Sequence, residues 1–279
     1  MTSPLHTTRR AFTWMLGTAL VGSASACGLS GTGGRGVTFR MGLRTAKAPG
    51  EESLGEFSTD TGWRIRLSSG VMVLGPIYIF ENASPMEPTA SAPRVLQRLG
   101  QWLLPTAHAH DGHFFSGGTV LGEWDREVVF DLLEEAGEVR ELGRSPGIAG
   151  LARSFSLLLQ PPSRALGAEG AALGGRSMIL EGTASRQETH VPFRVALDFP
   201  PPVELQRVDF VPIAVELDDG GRFVVEVQPH RWFQGAHFER VTVPAGGEVV
   251  DLTPDTQVYR ALTLNVRRYT AFAGTWEPA

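Results

Sequence analysis

Apolar and polar positions alternate along most of this chain, and the alternation has the period of two that belongs to a half-buried strand. Val37-Thr-Phe39-Arg-Met41-Gly-Leu43 alternates cleanly and predicts a first strand over 37–43. The polar, Gly- and Glu-rich stretch 45–60 then predicts a loop. Trp63-Arg-Ile65-Arg-Leu67 alternates again, and an apolar run over 71–80 follows, interrupted by Gly75-Pro76. A proline inside such a run predicts an edge or a bulge, because it cannot donate to a ladder. Further strands are expected over 119–124, 127–133, 151–160, 176–184, 191–199, 222–227, 248–252 and 271–276, with one long or two short strands over 203–217. Asp218-Asp219-Gly220-Gly221 is the strongest hairpin signal and predicts that 222–227 pairs with the strand before it.

Helical spacing appears twice. Pro93-Arg-Val95-Leu96-Gln-Arg-Leu99-Gly-Gln-Trp102-Leu103 opens on a proline and closes before Pro105. Thr253-Pro-Asp255 predicts the cap of a second helix, in which Val258, Leu262 and Val266 share a face. Many short strands, few helices and no βαβ alternation predict an all-β fold. The expected form is an antiparallel β-sandwich, immunoglobulin-like or related, with one or two short peripheral helices. The expected division is one domain over 37–279, carrying a Pro/His-rich insertion at about 82–118.

The first 36 residues follow a different logic. Thr8-Arg9-Arg10-Ala11-Phe12 opens an apolar run that reaches Val21, and small residues close it at Ala24-Ser25-Ala26-Cys27. A charged start, a short apolar stretch and a small-residue end are the parts of an export signal over 1–26. The run is shorter than the roughly 20 residues that a spanning helix needs. Arg9-Arg10 resembles a twin-arginine signal, and the choice between that route and the general secretory one stays open. Ala24-Ser25-Ala26-Cys27 resembles the lipobox of bacterial lipoproteins, which implies that Cys27 is acylated and begins the mature chain. Cys27 is also the one cysteine in the sequence, so no internal disulfide exists. Gly28 to Gly36 lacks apolar periodicity and reads as a flexible tether. The expected location is the bacterial cell envelope, lipid-anchored at the outer membrane and facing the periplasm or the cell surface.

Charge narrows the partners. A formal net charge of -5 with no basic cluster excludes nucleic acid, whose phosphates demand runs of Lys and Arg. The membrane, through the lipid anchor, and an envelope protein are the partners expected.

Candidate chemistry concentrates in His108-Ala-His110-Asp111-Gly112-His113, which holds three of the 7 histidines. Neutral imidazole is the commonest metal ligand, and an Asp-Gly turn could fold His113 back toward His108 and His110. His108, His110, His113 and Asp111 are therefore the candidate metal ligands, for Cu or Zn. The same residues resemble the His-x-His-x-Asp-His motif of metallo-β-lactamase-type hydrolases, with His190 and His230 or His237 as distant ligands. Gly112, however, stands where that family has an aspartate. Gly143-Arg-Ser145-Pro-Gly147 has the spacing of a hydrolase nucleophile elbow. Pro146 lacks the N–H that an oxyanion hole needs at that place, and the segment lacks the strand before and the helix after that an elbow needs, so serine hydrolysis is rejected. His190, His230 and His237 otherwise read as turn or partly buried histidines. Glu123-Trp124-Asp125 and Asp218-Asp219 read as ordinary turn acids.

A broader resemblance runs through Trp63-Arg-Ile-Arg-Leu67, Glu127-Val-Val-Phe-Asp131-Leu, Gly150-Leu-Ala-Arg-Ser-Phe155-Ser-Leu and Ala271-Phe272-Ala-Gly-Thr-Trp276. In this order the segments resemble the methanobactin-partner family of secreted, copper-binding β-proteins. The resemblance implies periplasmic copper or zinc binding. This chain lacks that family's cysteines, and the resemblance assigns no ligand. The leading expectation is an envelope-anchored, non-enzymatic lipoprotein binding Cu or Zn through its His-rich segment. The alternatives are a structural or protein-interaction lipoprotein without metal, and a metallo-β-lactamase-like zinc hydrolase.

Overall fold

The computed structural model describes residues 34–83 and 119–279. Cys27, the tether before Gly34, the expected helix at 93–103, and His108, His110, Asp111 and His113 lie outside the described residues.

Within them the fold is all-β and sandwich-like, as the alternation predicts. The strands are β1 (Gly36–Thr45), β2 (Glu56–Ser58), β3 (Arg64–Phe80), β4 (Val120–Trp124), β5 (Val128–Asp131), β6 (Arg140–Ile148) and β7 (Gly150–Leu159). They continue with β8 (Met178–Arg186), β9 (Thr189–Leu197), β10 (Arg207–Leu217), β11 (Arg222–Val227), β12 (Val250–Leu252) and β13 (Phe272–Glu277). Most ladders are antiparallel. Two are not: β1 runs parallel to β11 and β12 runs parallel to β9, so the purely antiparallel expectation is corrected to a mixed sheet.

β3 is the hub. The two segments expected at 63–67 and 71–80 form one strand that changes partners along its length. One edge pairs first with β8 and then with β7. The other edge meets β2, β5 and β4 in turn. The exchange from β8 to β7 falls between Met72 and Leu74, just before Gly75-Pro76, a cis peptide, where the ladder to β7 skips from Leu74 to Ile77. The expected bulge is therefore present, but in the middle of the sheet and not at its edge. Gly75 has φ +106°, and a Cβ there would lie 2.2 Å from the Arg126 carbonyl oxygen. Only glycine fits.

The changeover lets the sheet fold on itself. Phe155 of β7 and Phe223 of β11 are not ladder neighbours, yet their rings meet edge-on at 5.5 Å. They touch across an apolar interior, in a cluster of buried side chains that runs from Val37 to Phe272. Phe39 of β1 fills the space above Gly122 and Gly147, where a Cβ would come within 2.7 Å of its ring.

The strongest hairpin signal misled. Arg222–Val227 does not pair with the strand before it: β10 pairs with β7, and β11 with β1 and β13. The turn is tied to β1 instead. Asp219 Oδ1 accepts from Thr38 N–H at 2.8 Å, Gly220 N–H donates to Thr38 O at 2.9 Å, and Arg40 N–H donates to Gly221 O at 2.8 Å. Those bonds carry the chain across to lie parallel beside β1. Gly221 is needed there because a Cβ would lie 2.0 Å from the Trp276 ring.

Smaller corrections follow the same lines. The loop expected at 45–60 contains β2. The 140–148 segment, where no strand was expected, is β6, with Leu142 bulged out beside Gly143. Beyond the expected late helix, the described residues contain the short helices Gly167–Ala172 and Pro229–Trp232. The late helix is Gln257–Asn265, and its cap is Thr256, three residues later than expected, whose hydroxyl accepts from Tyr259 N–H at 3.2 Å. Val258, Leu262 and Val266 are all buried, as the spacing predicts, each worth roughly 1.5–3 kcal/mol in removed apolar surface. No helix among the described residues is long and apolar enough to cross a membrane.

Candidate functional site

A cluster of chemically capable side chains from separate segments surrounds Glu239. Trp63 is placed by a tight loop, in which Thr59 Oγ1 accepts from Trp63 N–H at 3.0 Å and Thr59 N–H donates back to Trp63 O at 2.7 Å. Its buried ring packs on Phe238 at 5.6 Å, and its indole N–H donates to Glu239 Oε2 at 3.1 Å. The guanidinium of Arg186, at the end of β8, lies 4.5 Å from the Trp63 ring centroid and 3.7 Å from Glu239 Oε2. His237 Nδ1 lies 2.7 Å from Glu239 Oε1. Residues from three distant segments thus converge on one carboxylate.

Electrostatics decides what this cluster can do. The backbone N–H of Glu239, with His237 and Trp63 adding to it, brings the carboxyl down to about 2. Such a group stays ionised through the neutral range and cannot act as a general acid or base there. Both oxygens already have donors. The arrangement is a clamp that joins the 59–63 loop, the end of β8 and the 237–239 turn. No sequence signal pointed to it, because Trp63 and Glu239 stand 176 positions apart.

The histidines singled out beforehand separate into different roles. His190 is exposed on β9, its Nδ1 3.0 Å from Ser185 Oγ on the opposite strand. His237 belongs to the clamp. His230 is half-buried in Pro229–Trp232; burial, helped by Arg231, lowers its pKa, and its Nδ1 has no partner among the described residues. Among the described residues no group of three or more His, Cys, Asp or Glu side chains could hold a metal ion. His190, His230 and His237, the distant ligands that the metallo-β-lactamase resemblance implies, belong to no such group among the described residues.

The remaining candidates have structural work. Ser145 is buried and donates to Glu123 O, Gly143 sits at the β6 bulge with φ +100°, and Gly147 makes room for Phe39. The Gly-x-Ser-x-Gly spacing is thus a feature of β6, and the hydroxyl of its serine is engaged by the Glu123 carbonyl. Tyr78, beside Glu123 on the β3·β4 ladder, has its pKa pushed up to about 12, first by burial and then by Glu123 and Asp125. Asp218 pairs with Arg35, and Asp219 holds the turn to β1.

One further geometry bears on the His-rich segment. β3 and β4 are ladder neighbours, and the chain between them leaves and returns at one place. Glu81 N–H donates to Thr119 O at 3.0 Å, and Thr119 N–H donates to Asn82 Oδ1 at 2.9 Å. The described residues on either side of 84–118 thus meet on a closed rung of the sheet. Set against protein-family models, curated proteins and solved structures, the chain matches none of them.

Proposed function

We propose that this chain is an envelope-anchored, non-enzymatic bacterial lipoprotein whose β-scaffold presents the His108–His113 segment to bind Cu(II) or Zn(II). The anchor rests on Cys27, a lone cysteine placed where the lipobox needs it. The binding role is supported by one geometric observation: the segment bearing three histidines springs from two adjacent, hydrogen-bonded strands. A rigid root of that kind lets a connection vary or bind without disturbing the sheet. Nitrogen ligands without thiolate suit Cu(II) or Zn(II), and the Irving–Williams order favours copper at equal availability.

Two measurements test this reading. The protein is expected to partition with membranes into detergent, and Cys27→Ser to release it. Metal-free protein titrated with Cu(II) and Zn(II) is expected to bind one ion. Affinity falls as pH drops through about 6.5, where imidazole protonates. Replacing His108, His110 and His113 together with Ala is expected to abolish the binding. Superimposable curves for the two proteins would remove the cluster from consideration and leave an interaction lipoprotein.

A further inference from the structure

The outward face of β6, β1, β11 and β13 sets its charges in register. Arg144 of β6 lies directly opposite Arg40 of β1, Arg40 is in register with Arg222 of β11, and Arg222 faces Glu277 of β13. Side chains opposite each other on a ladder have Cβ atoms about 5 Å apart, and like charges there repel. A row of three guanidinium groups therefore needs anions.

The chain supplies them unevenly. Arg222 donates to Glu277 and, at 2.6 Å, to Glu141 Oε1. Arg44, further along β1, donates to Glu226 and Glu277. Arg40 has Glu141 Oε1 at 3.9 Å, an oxygen that Arg222 already occupies. The Arg144 side chain forms no hydrogen bond or ion pair among the described residues, and it is exposed.

The two under-neutralised guanidiniums also share a concavity. With Thr38, Phe39, Asp219 and Gly220 they line a surface hollow of about 570 Å³, the size range of a small-ligand site. The Thr38 and Gly220 N–H groups are spent within the fold, so the free donors facing a ligand are the side chains. Asp219 adds one negative charge to the same wall.

We propose that Arg40 and Arg144 bind a phosphate-class oxyanion, with Asp219 facing a cationic or hydrogen-donating group of the same molecule. A single guanidinium fork saturates a planar carboxylate. Two forks side by side match a tetrahedral phosphate, which offers oxygens to both. Free phosphate and the phosphodiester of a lipid headgroup share this chemistry. The site stands independently of the metal and lipid-anchor proposals.

The test is calorimetric titration of the full-length chain in detergent, at low salt, with inorganic phosphate and with glycerophosphoethanolamine. Saturable binding is expected with at least one of them, and the tighter ligand identifies the source. Arg144→Gln and Arg40→Gln are each expected to weaken it by about five- to tenfold. Arg66→Gln is the control, because Arg66 is paired with Glu56 on a different strand pair and should change nothing. Asp219→Asn keeps an oxygen for Thr38 N–H while removing the charge, and is expected to cancel any preference for the ammonium-bearing ligand. No saturable heat with either ligand, or curves unchanged in both arginine variants, would overturn the site.

Discussion

At the scale of single residues, Glu239 shows how a charge can stabilise a fold without doing chemistry. Its folded pKa, about 2, lies below the ordinary glutamate value of 4.5. A depressed carboxyl stabilises the fold fully above the unfolded value, and that contribution is lost as pH falls through the folded one. Glu239→Gln keeps an acceptor for the Trp63 indole but no charge, so the variant is expected to lose less stability than the parent between pH 4.5 and 2. Glu239→Ala strips the indole of its acceptor and is expected to cost about 1–2 kcal/mol at neutral pH. Urea melts at pH 7 and pH 3 separate the two effects. None of this was legible in the sequence, since an ion-pair cluster assembled from loops leaves no periodic trace. The histidines were visible as residue types, but their separation into His190, His230 and His237, each with different surroundings, depends on tertiary placement alone.

At the scale of elements, strands marked by alternation or by a short apolar run were legible nearly to their ends: β1, which alternates, is longer by a residue or two at each end, and Arg222–Val227, an apolar run buried at Phe223, Val224 and Val225 in succession, falls where expected. β6 escaped because its burial follows no such pattern, with Arg140, Glu141 and Arg144 crowding one short stretch. The pairing of β11 escaped for a different reason. An Asp-Asp-Gly-Gly turn encodes a reversal, but the hydrogen bonds that choose between a hairpin and a crossing come from Thr38, far upstream. The changeover in β3 makes the element-level prediction. Gly75→Ala meets both a positive φ and the Arg126 carbonyl, and is expected to cost at least about 2 kcal/mol. Gly174→Ala has φ +56° with open space around it and is expected to cost about 1 kcal/mol. The difference in denaturation midpoint between the two variants isolates the clash.

At the scale of the whole molecule, stability depends on the two halves of the folded sheet meeting. Phe155 is fully buried at that meeting, against Phe223, and a Cβ on Gly274 of β13 would lie 2.9 Å from its ring. Phe155→Ala is expected to cost about 3–5 kcal/mol, enough to threaten a domain of ordinary stability. Leu151→Ala, on the same strand but 46% exposed, is expected to stay within about 0.5 kcal/mol. Guanidinium unfolding of the two variants measures both. The place of β1 between β6 and β11 has a consequence in time. Arg44 finds Glu226 across a separation of 182 residues. At ribosomal speeds of about 5–20 residues per second, roughly 10–40 s pass between the synthesis of the two. Throughout that interval the apolar row Val37, Phe39, Met41 and Leu43 lacks the neighbour that later flanks it. β1, the first of the described strands to be made, completes its pairing only once β11 is made, so the nascent chain is expected to remain open to holding factors until then.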